Sequence, residues 1–332
     1  MNSLDKLQKC FLESVRQKHK GEGNFVDDLA DLLHISKDSA YRRIRGETPL
    51  HFDEIQRLSV HYNISIDQLL HIDSSVVSFT NRNIRFGEFT LKQYLQSIMT
   101  AMDEVLQFKN KQMIYAAKDI PVFNLFQFKE LTYFKLYFWL QNLEIDPEYK
   151  DMKYNPDSIS EELVALAKSV WDKYMKIPSI ELWSDESINI TLRHIEYYYE
   201  SGFLSKEAVR RILEEIKEMV AHVKRQAEFS KKFYRGMPDS GVPNSLQLYY
   251  NELSISDNTI YYTLDDTQST IITYNLINTL TTSNEIFCKH VHDHLQTIIK
   301  KSSLISSVSE KTRNKVFNHI EEKVSHLEAK FK

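Results

Sequence analysis

The stretch LADLLHISKDSAYRRIRGETPLHFDEIQRLSVHYNISIDQL, residues 29–69, carries the most specific pattern in the chain. Its apolar residues recur at spacings of three and four, which predicts short amphipathic helices. Ser36 is a favoured N-cap residue and Gly46 a favoured C-cap residue, so we expect one helix between them. Pro49 follows the break, and Ser65 marks the start of a further helix. The stretch therefore predicts a compact bundle of short helices.

The helix after Ser36 is basic within a chain whose formal net charge is −4. It carries four cations, Lys37, Arg42, Arg43 and Arg45, against the single acid Asp38. A small basic surface on one helix is typical of a protein that reads the major groove of DNA. Because the whole chain is acidic, any DNA contact must come from such a local patch.

The same stretch resembles the helix-turn-helix domain of the phage-repressor (Xre/Cro-like) family. The spacing of the family's motif is matched without a gap over about forty residues. The matching positions are Leu29-Ala30, Ile35-Ser36, Arg45-Gly46, Pro49 and Asn63-Ile64-Ser65-Ile66-Asp67. This resemblance implies a sequence-specific DNA-binding transcription regulator that acts as a homodimer on operator DNA.

The resemblance also implies which residues contact DNA. The positions that match the family's base-facing residues are Lys37, Asp38, Ser39, Tyr41 and Arg42. In these roles Lys37 and Arg42 donate to guanine, and Asp38 accepts from cytosine. Ser36 caps the helix, whose free amides at its start favour a nearby phosphate. Arg43, Arg45 and Thr48 are better placed to contact phosphates than bases.

Two positions depart from the family pattern. The family has an apolar residue at the position of Arg43 and a polar one at that of Ile44, and here they are exchanged. This leaves open a rotated helix with a different division between base and phosphate contacts. The family's polar residue at the start of the second helix is Val26 here, which removes one expected phosphate contact.

The rest of the chain predicts a mostly α-helical protein, because only 7 Gly and 7 Pro occur among 332 residues. We expect a five-helix DNA-binding domain over 1–72, with helices near 3–20, 26–33, 36–46 and 53–62 and a fifth from Ser65. We expect a linker over 73–89 next. It is followed by a helical effector or oligomerisation domain over 90–235. A small α+β domain over 240–332 completes the chain, with a three-stranded antiparallel meander at 246–275.

Composition limits the functional class. The two cysteines are too few for a disulfide framework, and the first twenty residues lack a signal-peptide core, so we expect a cytoplasmic protein without a membrane segment. We find no glycine-rich phosphate loop, nucleophile elbow or HExxH motif, and therefore expect no enzymatic activity, catalytic residue or cofactor. The segment FCKHVHDHL, residues 287–295, does not place four ligands together on one helix, so we predict no metal site.

Several alternatives remain open at this stage. The chain is alternatively an antitoxin or adaptor whose helical region binds another protein or a peptide. The aromatic stretch 123–139 either lines a pocket for an unknown small-molecule or peptide effector or is plain core. Phe317, Ile320, Val324, Leu327 and Phe331 form a seam that either packs onto the adjacent sheet or joins two copies. The sequence does not indicate the operator or whether binding represses or activates.

Overall fold

A computed structural model describes residues 3–19, 23–62, 64, 66, 76–82, 89–142, 149, 151–253 and 255–331. The chain divides into two compact units, Met1–Ser78 and Phe79–Lys332. We call them the N-terminal unit and the C-terminal unit.

The N-terminal unit is a bundle of short helices. Its described helices are α1 (Ser3–Lys18), α2 (Phe25–Leu33), α3 (Lys37–Arg45) and α4 (Phe52–Tyr62). These bounds lie within two residues of the first four predicted helices. The fifth predicted helix, which begins at Ser65, falls almost wholly outside the described residues. Apolar side chains from all four helices meet in one core, which includes Phe11, Val15, Leu29, Leu33, Ala40 and Leu58.

The C-terminal unit is built on one eight-stranded mixed sheet. Its strands are β1 (Thr80–Arg82), β2 (Lys111–Ala116), β3 (Ser179–Ser184), β4 (Leu246–Asn251), β5 (Thr259–Leu264), β6 (Thr267–Tyr274), β7 (Asn278–Thr282) and β8 (Ser303–Leu304). Their order in the sheet is β1-β7-β6-β5-β2-β3-β4-β8. The pairs β2–β3 and β3–β4 are parallel, and the other neighbours are antiparallel.

Helices cover both faces of this sheet. They are α5 (Leu91–Gln107), α6 (Val122–Leu125), α7 (Lys129–Asn142), α8 (Glu161–Tyr174), α9 (Glu186–Glu200), α10 (Lys206–Phe229), α11 (Glu285–Lys300) and α12 (Glu310–Lys330). Along β2, Met113 and Tyr115 enter the large core with α5–α10 and α12, whereas Ile114 and Ala116 enter a smaller core with α11. Successive side chains of a strand point to opposite faces, so this alternation gives three layers.

The predicted fold class is wrong for this unit. A small three-stranded meander was expected, but β5, β6 and β7 continue into a sheet that also contains β2 and β3. A strand predicted from residue 246 exists, but it lies between β3 and β8, and β2 and β3 separate it from β5. The sheet thus takes strands from both the range 90–235 and the range 240–332.

Long connections explain the mixed topology. Along the chain, helices α6–α8 connect the parallel strands β2 and β3, and helices α9 and α10 connect β3 and β4. Parallel neighbours need such crossover connections, which helices usually supply. All six residues of β3 are buried, as are the last four of β2.

The seam on the last helix packs inside the subunit. Phe317, Ile320, Val324 and Leu327 of α12 are buried in the large core. They pack mainly against helices α10 and α9, whereas packing onto the adjacent sheet was predicted. The seam therefore does not need a second copy to cover it. None of the described helices is long and apolar enough to cross a membrane.

Candidate nucleic-acid interface

The turn between α2 and α3 is fixed by caps at both of its ends. His34 ends α2 in the left-handed conformation, with φ of 56°. The Ser36 side chain accepts a hydrogen bond from the Ser39 amide at 3.3 Å and caps the start of α3. Gly46 ends α3 at φ of 77°, a conformation that favours glycine. The predicted helix after Ser36 is therefore formed and closed at both ends.

One side of α3 faces the core and the other faces solvent. Ala40 and Arg43 are buried. Ser39 and Thr48 are half-buried. The remaining predicted site residues are exposed, and they are Ser36, Lys37, Asp38, Tyr41, Arg42 and Arg45. The structure thus brings together, on the outward side of α3, four of the five residues predicted to face bases, with Ser39 at its margin.

Arg43 forms a buried ion pair with Glu54 of α4. Its Nε donates to Glu54 Oε2 at 3.0 Å, and its Nη2 lies 2.8 Å from Glu54 Oε1. Its Nη1 donates to the Ser39 carbonyl at 3.3 Å, and Glu54 Oε2 also accepts from the His51 amide at 2.9 Å. The two side chains are only 10% and 7% exposed. The pair therefore ties α3 to the start of α4.

This position removes Arg43 from the predicted phosphate contacts. Residue 43 lies three positions after Ala40, and residues three apart share one face of a helix. Arg43 therefore occupies the inward position that the family fills with an apolar residue, and Ile44 beside it also packs against the core. A rotated α3 is not needed to accommodate the exchange of these two residues. Glu54, which supplies the partner charge, had no signal in the sequence analysis.

The exposed cations of α3 also have acidic neighbours. Lys37 Nζ lies 2.8 Å from Asp27 Oδ2, and Arg45 Nε donates to Glu47 Oε1 at 2.7 Å. Arg42 Nε lies 3.9 Å from Glu47. The hydrogen bond that Lys37 donates to Asp27 raises the pKa of Lys37, and the one that Arg45 donates to Glu47 lowers the pKa of Glu47.

These exposed pairs differ from the buried one in strength. Exposed ion pairs contribute about 0–1 kcal/mol, because water screens the charges and ordering two long side chains costs entropy. A phosphate can therefore replace Asp27 or Glu47 as a partner at little cost. The outward side nevertheless carries fewer cations than the four counted along the sequence of α3, because Arg43 is buried and paired with Glu54.

Gln8 of α1 positions the end of α3 and the loop after it. Its Nε2 donates to the carbonyls of Arg43 and Thr48, each at 2.8 Å. Its Oε1 accepts from the Leu50 amide at 2.9 Å. One side chain thus fixes three backbone groups on either side of Gly46. Gln8 was not predicted, because a lone glutamine on an amphipathic helix carries no distinguishing pattern.

The BetR domain family matches residues 12–109 of the chain, which is less than a third of its length. The match runs from α1 through α5 and includes all of α2, α3 and α4. No curated protein and no solved structure matches the chain. The BetR domain is associated with regulators of the helix-turn-helix type. The predicted resemblance to helix-turn-helix regulators is therefore confirmed at this general level.

Proposed function

We propose that the chain is a transcription regulator that binds operator DNA sequence-specifically, as a homodimer and without enzymatic activity. Within it, α3 is the recognition helix of a phage-repressor-type domain. Lys37, Arg42 and Asp38 read base edges, while Ser39 and Tyr41 contact bases beside them. Ser36, Arg45 and Thr48 position the helix against phosphates.

The observation that carries this proposal is the division of α3 into two sides. The inward side is fixed to the bundle by Ala40 and by the Arg43–Glu54 pair. The outward side presents Lys37, Tyr41 and Arg42, each exposed and each at a position that the resemblance assigns to base contact. A recognition helix enters the major groove with such a side, and guanine offers two acceptors there to Lys or Arg.

Selection of random oligonucleotides with the wild-type protein, followed by gel shift, tests the proposal. Each good contact to a base edge is worth about 1–3 kcal/mol, so Lys37→Ala with Arg42→Ala weakens specific binding by more than about 30-fold. The matched control is Arg16→Ala with Arg57→Ala, which removes the same charge from exposed positions on α1 and α4. Selection that enriches no sequence, or equal loss in both double variants, contradicts the proposal.

The homodimer has separate support on α4. Phe52 is 80% exposed and Val60 is 77% exposed. They lie eight residues apart, so they share one side of the helix with Gln56 between them. We infer that these two exposed apolar side chains contact the second copy. Two copies on a palindromic site also multiply the affinity of a small domain for a half-site.

Sedimentation on and off the selected DNA tests this part. Phe52→Asp with Val60→Asp prevents two proteins from occupying one duplex, whereas Gln17→Asp with Lys18→Asp on α1 does not. Two bound copies in the Phe52→Asp, Val60→Asp variant would place the dimer contact elsewhere.

A further inference from the structure

The C-terminal unit encloses a cavity of about 510 Å³ between α5 and the sheet. Side chains of α5 lie on one side of it, and strands β2, β5, β6 and β7 lie on the other. Small-molecule sites in proteins commonly have volumes of about 300–1,000 Å³. The cavity is therefore large enough for a ligand of ordinary metabolite or drug size.

The body of the cavity is apolar. Its lining includes Ile98, Met102 and Val105 of α5 and Ile260 and Ile271 of the sheet. Two aromatic residues of the stretch 123–139, Phe123 and Trp139, also line it. Others from that stretch, such as Phe128 and Tyr137, are fully buried in the core. An apolar lining favours a ligand with a hydrocarbon or aromatic body.

Three tyrosine hydroxyls in this lining have no hydrogen-bond partner among the described residues. Tyr94, Tyr115 and Tyr262 are 7%, 5% and 6% exposed and all line the cavity. Burial raises the pKa of each phenol, so each keeps its proton and can donate it. Each of these hydroxyls can therefore donate a hydrogen bond to an acceptor group of a ligand in the cavity.

A lysine with unused donors lies in the same lining. Lys135 is 9% exposed, and its ammonium lies 3.5 Å from Asp119 Oδ2 and 5.5 and 5.6 Å from the ring centres of Phe138 and Trp139. An ammonium has three donors, and this one long contact is its only hydrogen bond within the described part of the chain. Asp119 is better satisfied, because Asn258 Nδ2 donates to its Oδ1 at 2.7 Å.

We propose that this cavity binds a small molecule with an apolar body and a carboxylate at one end. The carboxylate lies against Lys135 and accepts from the neighbouring tyrosine hydroxyls, and the apolar body fills the space between α5 and the sheet. The unused donors of the Lys135 ammonium select a head group that accepts hydrogen bonds. The cation of Lys135 disfavours an ammonium head group of the same size. This site does not depend on whether α3 binds DNA.

Titration calorimetry of the full chain with decanoate and with decylamine tests the site. The two probes share an alkyl chain and differ in the charge of the head group. Decanoate is expected to bind with one ligand per chain, and decylamine at least about tenfold more weakly, as loss of a charge-assisted hydrogen bond requires. Decylamine that binds as tightly as decanoate overturns the carboxylate preference.

Two variants locate the binding. Ala101→Phe fills the cavity from α5 and is expected to abolish decanoate binding, whereas Ala165→Phe makes the same change on the exposed side of α8 and leaves binding intact. If Ala101→Phe does not fold by circular dichroism, Ser97→Phe replaces it. Lys135→Met is expected to remove the preference for decanoate over decylamine. Wild-type binding in a folded cavity-filling variant, or no decanoate binding to the wild type, overturns the proposal.

Discussion

The buried pair between Arg43 and Glu54 offers a test of whether Arg43 stabilises the fold or contacts DNA. Glu54→Leu leaves the Arg43 guanidinium inside the N-terminal unit without a partner charge. Arg43→Met together with Glu54→Leu replaces both charges by apolar groups of similar length. The two variants differ in only one residue, yet we expect opposite outcomes for the fold of the unit.

The expected magnitude follows from the contacts. Glu54→Leu removes the hydrogen bond at 3.0 Å and the second contact at 2.8 Å in a site where both side chains are at most 10% exposed. Removing one partner of such a pair costs about 3–5 kcal/mol. The lost bond to the His51 amide adds about 1 kcal/mol. In the double variant no charge is left unpaired, so the main remaining cost is about 1 kcal/mol for the His51 amide, with a smaller one for the long bond from Arg43 to the Ser39 carbonyl.

Amide hydrogen exchange in the full chain measures this effect locally, in peptides from residues 25–62. A loss of 3 kcal/mol lowers their protection by about 100-fold in Glu54→Leu, while the double variant stays within about tenfold of the wild type. The double variant is also expected to bind the selected DNA within about threefold of the wild type. A folded double variant that loses DNA binding would show that Arg43 contacts DNA and would refute its structural role.

Three further predictions concern individual side chains. Glu47→Gln frees Arg45 and Arg42 from their acidic neighbour. It is expected to raise DNA affinity by roughly two- to fivefold at low salt and by less at high salt. Fluorescence anisotropy measures this change and the smaller one expected for the control Glu13→Gln on α1. Gln8→Ala removes three hydrogen bonds and is expected to speed amide exchange around Gly46; exchange faster only within α1 would contradict its role there. Burial lowers the pKa of His222 from 6.5 to about 4, so an unfolded chain takes up this proton first as the pH falls. The melting temperature of the C-terminal unit is therefore expected to fall as the pH is lowered from about 6.5 to about 4. His222→Gln is expected to make this fall less steep. An unchanged slope in the variant would assign the fall to other groups.

Local patterns in the sequence predicted the N-terminal unit closely, because its helices are set by neighbouring residues. Ser36 and Gly46 act as the caps that their residue types indicate. The burial of Arg43 was not predicted, because a charge next to two other arginines gives no sign of facing inward. Only the packing of α4 against α3, which brings Glu54 to it, decides its role.

The C-terminal unit was harder to predict because its sheet depends on contacts between distant residues. Residues 111–116 continue an apolar pattern from α5 and were read as helix, yet they pair with β3 and β5, which lie about 65 and 150 residues further on. Central strands covered on both faces also lack the alternation that identifies a strand in sequence.

Photo-crosslinking from α3 tests the central claim most directly. Tyr41, 45% exposed on the outward side of α3, is replaced by p-benzoylphenylalanine, and the exposed Glu13 of α1 is replaced in a matched control. With the DNA that the wild type selects, the Tyr41 variant is expected to crosslink to bases within the selected site, and the Glu13 variant is not. Crosslinking from position 13 but not from position 41 would contradict the placement of α3 in the groove.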